Sequence, residues 1–322
     1  MIGNVETLAG AGVRFAEGLT GLAGAARDLA PALAETFTEA PHAALSLTEG
    51  LAARTGILRT GAPLWAGAPR SACVGATHAP ARGADTRYDG HFVGADGRTF
   101  PPSTPLSEIP PVLPSSGRDN GQTILYVNGI STTKDSQFDS LREIADHTGA
   151  RVVGIHNATQ GALVDIIQSG GDTLDIGRNP AVDALASTVY EEITAGRTVN
   201  LMAHSQGALI TSRALQDVRG RLMLEDGLSR REAERVLSRV NVETFGGAAG
   251  SYPDGPRYVH YVNRFDPVST LFGLGPFANP LVRPGRGAVV HRFAEFDNAH
   301  GFDATYLPRR VPFDEARRGD FD

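Results

Sequence analysis

Apolar runs of strand length recur along the second part of the chain, beginning at Thr123-Ile124-Leu125-Tyr126-Val127. Further runs follow at Val152–Ile155, Val199–Met202, Val240–Phe245, Tyr258–Val262 and Ala288–Phe293. They are short and nearly continuous instead of alternating, the mark of strands buried on both faces. Segments of helical character separate most of them: Ser136–His147, Pro180–Thr194, Gln206–Val218 and Arg230–Ser238. This alternation predicts an α/β fold, a mostly parallel sheet with helices on both faces. Ligands of such sheets bind beyond the carboxyl ends of the strands.

The chain before Gly121 reads differently. Residues 1–60 are rich in Ala, Gly, Leu, Thr and Glu, with weak helical periodicity around Pro31–Phe37. Gly10, Gly12, Gly18, Gly21 and Gly24 weaken any long helix there, by roughly 1 kcal/mol each relative to Ala. Residues 61–117 are dense in Pro and Gly, which predicts a linker or an ordered wrap and no core element. The expected organisation is an N-terminal helical or irregular region, residues 1–117, with a cap, interface or delivery role, and a catalytic domain, residues 118–322.

Composition narrows the function. The chain has 322 residues, ordinary hydrophobic content and a formal charge of -6. A broad nucleic-acid surface is not expected, since phosphate binding needs clustered Lys and Arg. Cys73 is the single cysteine, so an intrachain disulfide and a cysteine-rich metal site are excluded. No stretch approaches the ~18–20 apolar residues of a membrane span. No basic segment followed by a compact apolar run marks a secretory leader. The compartment stays open: a soluble chain, cytoplasmic or exported without an evident signal peptide.

Chemistry concentrates at Val199-Asn200-Leu201-Met202-Ala203-His204-Ser205-Gln206-Gly207-Ala208. An apolar strand runs into a serine between small residues and continues as a helix, the pattern of a nucleophile elbow. The turn is tight enough that Ala203 and Gly207 must be small. A serine hydroxyl is a weak nucleophile until a base takes its proton, and that base is usually a histidine held by a carboxylate. Asp266, just past the Tyr258–Val262 run, is the candidate acid; its alternative role is to start a turn at Asp-Pro. Asp297 is the rival acid, although it stands only three residues before His300. His300, after the last strand, is the candidate base. His260 and His291 lie inside strands and are expected to be packed or at an edge. His204 lies within the elbow, and His42, His78, His91, His147 and His156 precede the serine. The expected oxyanion hole is formed by the backbone N–H groups of Gln206 and of Ile130 in Asn128-Gly129-Ile130. Asn-Gly is equally a hairpin signal, but a helical segment follows it. Leu271, Phe272 and Phe277, between acid and base, are candidate acyl-binding residues or a loop packed on its own domain. Ala162–Ile167 offers a second apolar wall.

Other motifs fail. Ser131-Thr132-Thr133-Lys134 has the S-x-x-K form, but a K-T-G element is impossible with Lys134 the single lysine. Asp85–Gly90 is calcium-loop-like, but Arg87 stands at a ligand position. Asp172, Asp175 and Asp183 read as caps and loop residues. No cofactor and no metal is called for.

Ala-His-Ser-Gln-Gly-Ala, with acid and base following in the order Ser205, Asp266, His300, resembles the α/β-hydrolase superfamily, in its lipase and esterase branch. The resemblance covers residues 120–310. It implies hydrolysis of a carboxylic ester, a lipid or other apolar acyl ester, through an acyl-enzyme. The pair Tyr-Val-Asn-Gly-Ile and Ala-His-Ser-Gln-Gly also looks like bacterial lipase-type proteins, phospholipase effectors among them. That likeness implies contact with a membrane surface without a span, and an immunity or chaperone partner. The chain departs from large α/β-hydrolases in lacking obvious strands before Thr123; either the sheet is reduced or part of residues 61–117 supplies an edge strand. A peptidase or thioesterase on the same scaffold, and a binding protein with a retired site, remain alternatives.

Overall fold

A computed structural model describes residues 86–130, 132–158, 179–275 and 282–321. All belong to one compact unit, Gly83–Asp322. The expectations made for residues 1–60, Cys73, Ser131, Ala162–Ile167, Asp172, Asp175 and Phe277 lie outside the described residues.

Eight strands form one sheet, in chain order β1 (Phe92–Val93), β2 (Thr99–Phe100), β3 (Thr123–Val127), β4 (Arg151–Ile155), β5 (Val199–His204), β6 (Val240–Phe245), β7 (Arg257–Asn263) and β8 (Val289–Phe293). The spatial order is β2-β1-β4-β3-β5-β6-β7-β8. From β4 to β8 every pair is parallel; β1 pairs antiparallel with β4 and with β2. The fold is α/β: a mostly parallel sheet with helices on both faces.

Among the described residues six α-helices accompany it: α1 (Lys134–Thr148), α2 (Pro180–Thr194), α3 (Gln206–Leu224), α4 (Arg230–Leu237), α5 (Pro267–Phe272) and α6 (Phe313–Arg318). Their ends follow the chain's chemistry. The Thr133 side chain accepts the Ser136 N–H at the start of α1, and Gly149 ends that helix in the left-handed region. Asn179 caps α2, with Pro180 at its first position; Asp183 lies in the first turn and is not the cap.

Strand periodicity divides the core in two. Leu125, Val127, Leu201, Ala203 and Val242 face α2, α3 and α4, among Leu185, Val189, Ala214, Leu215 and Leu237. Ile124, Tyr126, Met202, Phe245 and Tyr261 face the other way, among Leu141 and Ile144 of α1 and Phe302, Tyr306 and Ala316. Burial on both faces is what makes the strands read as continuous apolar runs.

The Pro- and Gly-rich stretch requires a correction. Phe92 and Val93 are wholly buried, and Ile109 and Val112 nearly so. The region therefore holds core residues and supplies two short strands, β2 at the edge of the sheet and β1 inside it. Strands of two residues are too short to show a period.

Chain order sets the position of the site. The chain passes from β3 to β4 on one side and then crosses back from β4 to β5 on the other side of β3. That reversal is a topological switch point, where loops diverge and leave a crevice. The loop after β3 and the turn after β5 lie on its two sides.

Candidate active site

Ser205 sits between β5 and α3 with φ 55° and ψ −122°. A residue other than glycine in this region carries roughly 1–3 kcal/mol of backbone strain. The turn is held by Ser205 N–H donating to Phe245 O at 3.1 Å and by Ser205 O accepting from Ala208 N–H and Ala248 N–H. A Cβ on Gly207 would stand 2.2 Å from Val127 O. The small residue inferred from the sequence is therefore forced by the backbone of β3. No side chain caps α3, and the Gln206 N–H, at its first position, has no intrahelical acceptor. Ser205 Oγ is buried and has no hydrogen-bond partner among the described residues.

Asp266 is wholly buried at the start of α5. Its Oδ1 accepts the Val268 N–H at 2.8 Å, which makes it the helix N-cap. Its Oδ2 lies 2.9 Å from His300 Nδ1. An ionised carboxylate can only accept, so Nδ1 carries the proton and Nε2 of a neutral His300 has a free lone pair. The capping role and the pairing with histidine, alternatives in the sequence, are both present, one on each oxygen. Asp297 is exposed on the loop before His300.

His204 joins the base to the elbow. Its Nε2 lies 2.9 Å from His300 O, so Nε2 bears the hydrogen. The two imidazoles are 4.6 Å apart, centre to centre. Burial, with the His300 charge second, holds His204 well below the usual histidine range. His204 is thus a neutral donor that ties the His300 backbone to the residue preceding Ser205. His260 is buried in β7 between Thr244 Oγ1 and Pro284 O, a packed histidine as expected.

On the other side of the crevice, no hairpin forms at Asn128-Gly129; β3 runs through a turn to α1. A Cβ on Gly129 would stand 3.0 Å from Ser205 Cβ, which places the backbone leading to Ile130 against the serine. The Asn128 side chain donates to Gly129 O and Asn157 O, and its Oδ1 accepts the Asn157 N–H, all at 2.8 Å. Asn157 Nδ2 in turn donates to the Gln206 side chain at 2.7 Å. This buried amide chain connects both expected oxyanion donors.

Leu271 and Phe272 are half-buried on α5, the helix that Asp266 caps. Phe265 and Phe296, which the sequence did not single out, are exposed and meet edge to face at 5.7 Å. They flank the acid and precede the base.

Sequence reasoning also missed Asn263 and Tyr306. Asn263 Nδ2 donates to Glu295 O and Ala299 O, and its Oδ1 accepts the Glu295 and Phe265 N–H groups. One buried amide thereby joins the acid loop to the base loop. The Tyr306 hydroxyl donates to Asp266 Oδ2 at 2.5 Å. Asn263 carries a faint signal as a polar residue closing an apolar strand; Tyr306 carries none.

The structure thus offers a strained serine turn after β5 and a buried Asp266–His300 pair, and no described side chain bonds Ser205 Oγ. No family model matches the chain, and no curated protein matches it. Among solved structures it is similar to an esterase of Pyrobaculum calidifontis, at 14% identity over 63% of this chain and 74% of that one, with a TM-score of 0.38. It is similar also to Aspergillus fumigatus lipase B, at 14% identity over 56% of this chain and 47% of the lipase, with a TM-score of 0.34. The match thus spans about half the lipase's length.

Proposed function

We propose that the chain is a serine hydrolase of the α/β-hydrolase superfamily that cleaves carboxylic esters of apolar acyl groups, lipids among them. The observation that carries this reading is the His300–Asp266 pair, Nδ1 to Oδ2 at 2.9 Å, tied through His204 to the turn that holds Ser205 at positive φ. His300 Nε2 takes the Ser205 proton as Oγ attacks the ester carbonyl. Asp266 keeps the imidazole in the required tautomer and stabilises the imidazolium. The N–H groups of Gln206 and Ile130 receive the oxyanion, where loss of one such donor costs ~2.7–4 kcal/mol of transition-state stabilisation. The imidazolium proton leaves with the alcohol, and water, deprotonated by His300, releases the acid from Ser205. Leu271, Phe272 and Phe277 are assigned to the acyl chain, and the exposed Phe265–Phe296 pair favours an apolar substrate.

The test is labelling of the purified full chain with a fluorophosphonate, the adduct located by peptide mass spectrometry. An adduct on Ser205, absent in Ser205→Ala and suppressed in His300→Ala, supports the reading. A folded wild-type chain that takes no label overturns it. A series of 4-nitrophenyl esters then reads the acyl preference: turnover that rises with chain length supports an apolar site, and turnover confined to acetate refutes it.

A further inference from the structure

We propose that Tyr306 is a positioning residue of the triad, whose hydroxyl holds Asp266 Oδ2 in place and shares that oxygen with His300 Nδ1, setting the pH range in which His300 acts as base. The proposal rests on the serine-hydrolase reading above.

The hydroxyl has one orientation available. Asn263 N–H donates to Tyr306 Oη at 3.2 Å, so the phenolic proton is left for Asp266 Oδ2, at 2.5 Å. The ring is wholly buried. Phe245 and Phe293 meet it edge to face, and the His204 ring stands 6.2 Å away. The chain makes room for it at Gly246, φ +54°, where a Cβ would stand 2.5 Å from Asp266 Oδ2 and 2.9 Å from the Tyr306 ring. A side chain there would separate the phenol from the carboxylate. The phenol remains a donor, because burial and then the neighbouring Asp266 push its ionisation well above the usual tyrosine value.

The same short segment supplies base and buttress. After His300 the backbone makes a π-turn, Phe302–Tyr306, with Thr305 N–H and Tyr306 N–H both donating to Gly301 O. Such wide turns are uncommon and cluster at functional sites. Thr305 Oγ1 donates back to Asn298 O at 2.8 Å, which closes the loop that carries His300.

The carboxylate therefore receives donors from His300 Nδ1, Tyr306 Oη and Val268 N. Donors to a carboxylate favour its ionised form. Without the phenol the Asp266–His300 pair takes up a proton more readily, whichever atom holds it. A protonated pair is no base, so the acid limb of the reaction must move to higher pH. The other ionisable groups around the pair are His204 from β5, Glu295 and Asp297 from the loop entering His300, Arg264 beside Phe265, Arg309 after Tyr306, and Asp303 on the π-turn. His204 is neutral, Glu295 pairs with Arg309 at 2.6 Å, and Asp303 bonds Ser140. The test leaves all of them unchanged.

The experiment compares the wild-type full chain, Tyr306→Phe, and a chain carrying 3,5-difluorotyrosine at position 306. The first readout is the rate of fluorophosphonate labelling of Ser205 against pH. The second is the titration midpoint of the His300 ring by NMR, assigned by its loss in His300→Gln, which requires no catalysis. In Tyr306→Phe both should move up by about 0.5–1 pH unit, with the plateau labelling rate down about tenfold. The more acidic fluorinated phenol is a stronger donor and should move both down. If Tyr306→Phe does not fold, the near-isosteric fluorinated chain decides alone. A folded Tyr306→Phe with unchanged limb and midpoint, or a fluorinated chain with no downward move, overturns the proposal. Midpoints that move as expected in a chain whose serine takes no label sustain the positioning role and overturn the hydrolase reading.

Discussion

Asp266 divides its two oxygens between unlike tasks, Oδ1 on the Val268 N–H and Oδ2 on His300. Asparagine keeps the capping oxygen but cannot hold the histidine tautomer. Asp266→Asn is therefore expected to retain a thermal midpoint near wild type while kcat for ester hydrolysis falls by ~10⁴; equal losses in both would contradict the division. His260 makes a different prediction. Burial lowers it from 6.5 to about 4. Between those values the unfolded chain binds the extra proton and the folded chain does not. Stability is complete above pH 6.5 and falls as pH drops towards 4, by up to about 3 kcal/mol from this residue. Urea melts across that interval should show a shallower pH slope in His260→Gln than in wild type. The pairing of Asp266 with His300 was legible because strand ends and chain order restrict where such residues can stand. Tyr306 was not, because its contact with Asp266 joins residues 40 apart through a π-turn that leaves no sequence period. The preference for Asp266 over Asp297 followed from strand-end position, and the folded chain leaves Asp297 exposed.

At the scale of elements, the turn between β5 and α3 is built by exclusion. Gly207 meets the carbonyl of Val127, and Gly129 meets the Ser205 side chain. The two glycines should separate by assay. Gly207→Ala pushes a methyl into the backbone of β3 and is expected to cost about 3 kcal/mol or more in chemical denaturation. Gly129→Ala has a side chain as its nearest neighbour, so its expected stability cost is below about 1.5 kcal/mol, with a labelling rate at Ser205 down by at least about tenfold. The reverse ranking would mean that the crevice side of β3 is not where the reaction is set. The strands β3–β8 and helices α1–α4 read plainly because each has a sustained apolar run or period. The short strands β1 and β2 were hidden by neighbouring Pro and Gly, although an edge strand from that stretch was one expectation.

At the scale of the molecule, β1 covers the outer side of β4, and β2 covers β1. A chain beginning at residue 118 would leave β4 as a bare edge and remove the wholly buried Phe92 and Val93. Bare edges invite pairing with other chains. Such a chain is expected to elute as soluble aggregate in gel filtration, whereas one beginning at Gly83 should elute as a compact species with one cooperative melt. Matching behaviour of the two would show that β1 and β2 are dispensable. The strand order has a consequence for the moment of synthesis. The ribosome releases the outermost strands first, and Phe92 has no sheet to join until Ile155, its partner across the β1–β4 pair, has followed. The central strand β3 finds its first partner in β4, the next strand to emerge, and β5, β6, β7 and β8 then each add to a strand already made. The sheet can therefore grow strand by strand once β4 has emerged. Until then β1 and β2 stand without it, and in that interval the nascent chain is most exposed to misassociation.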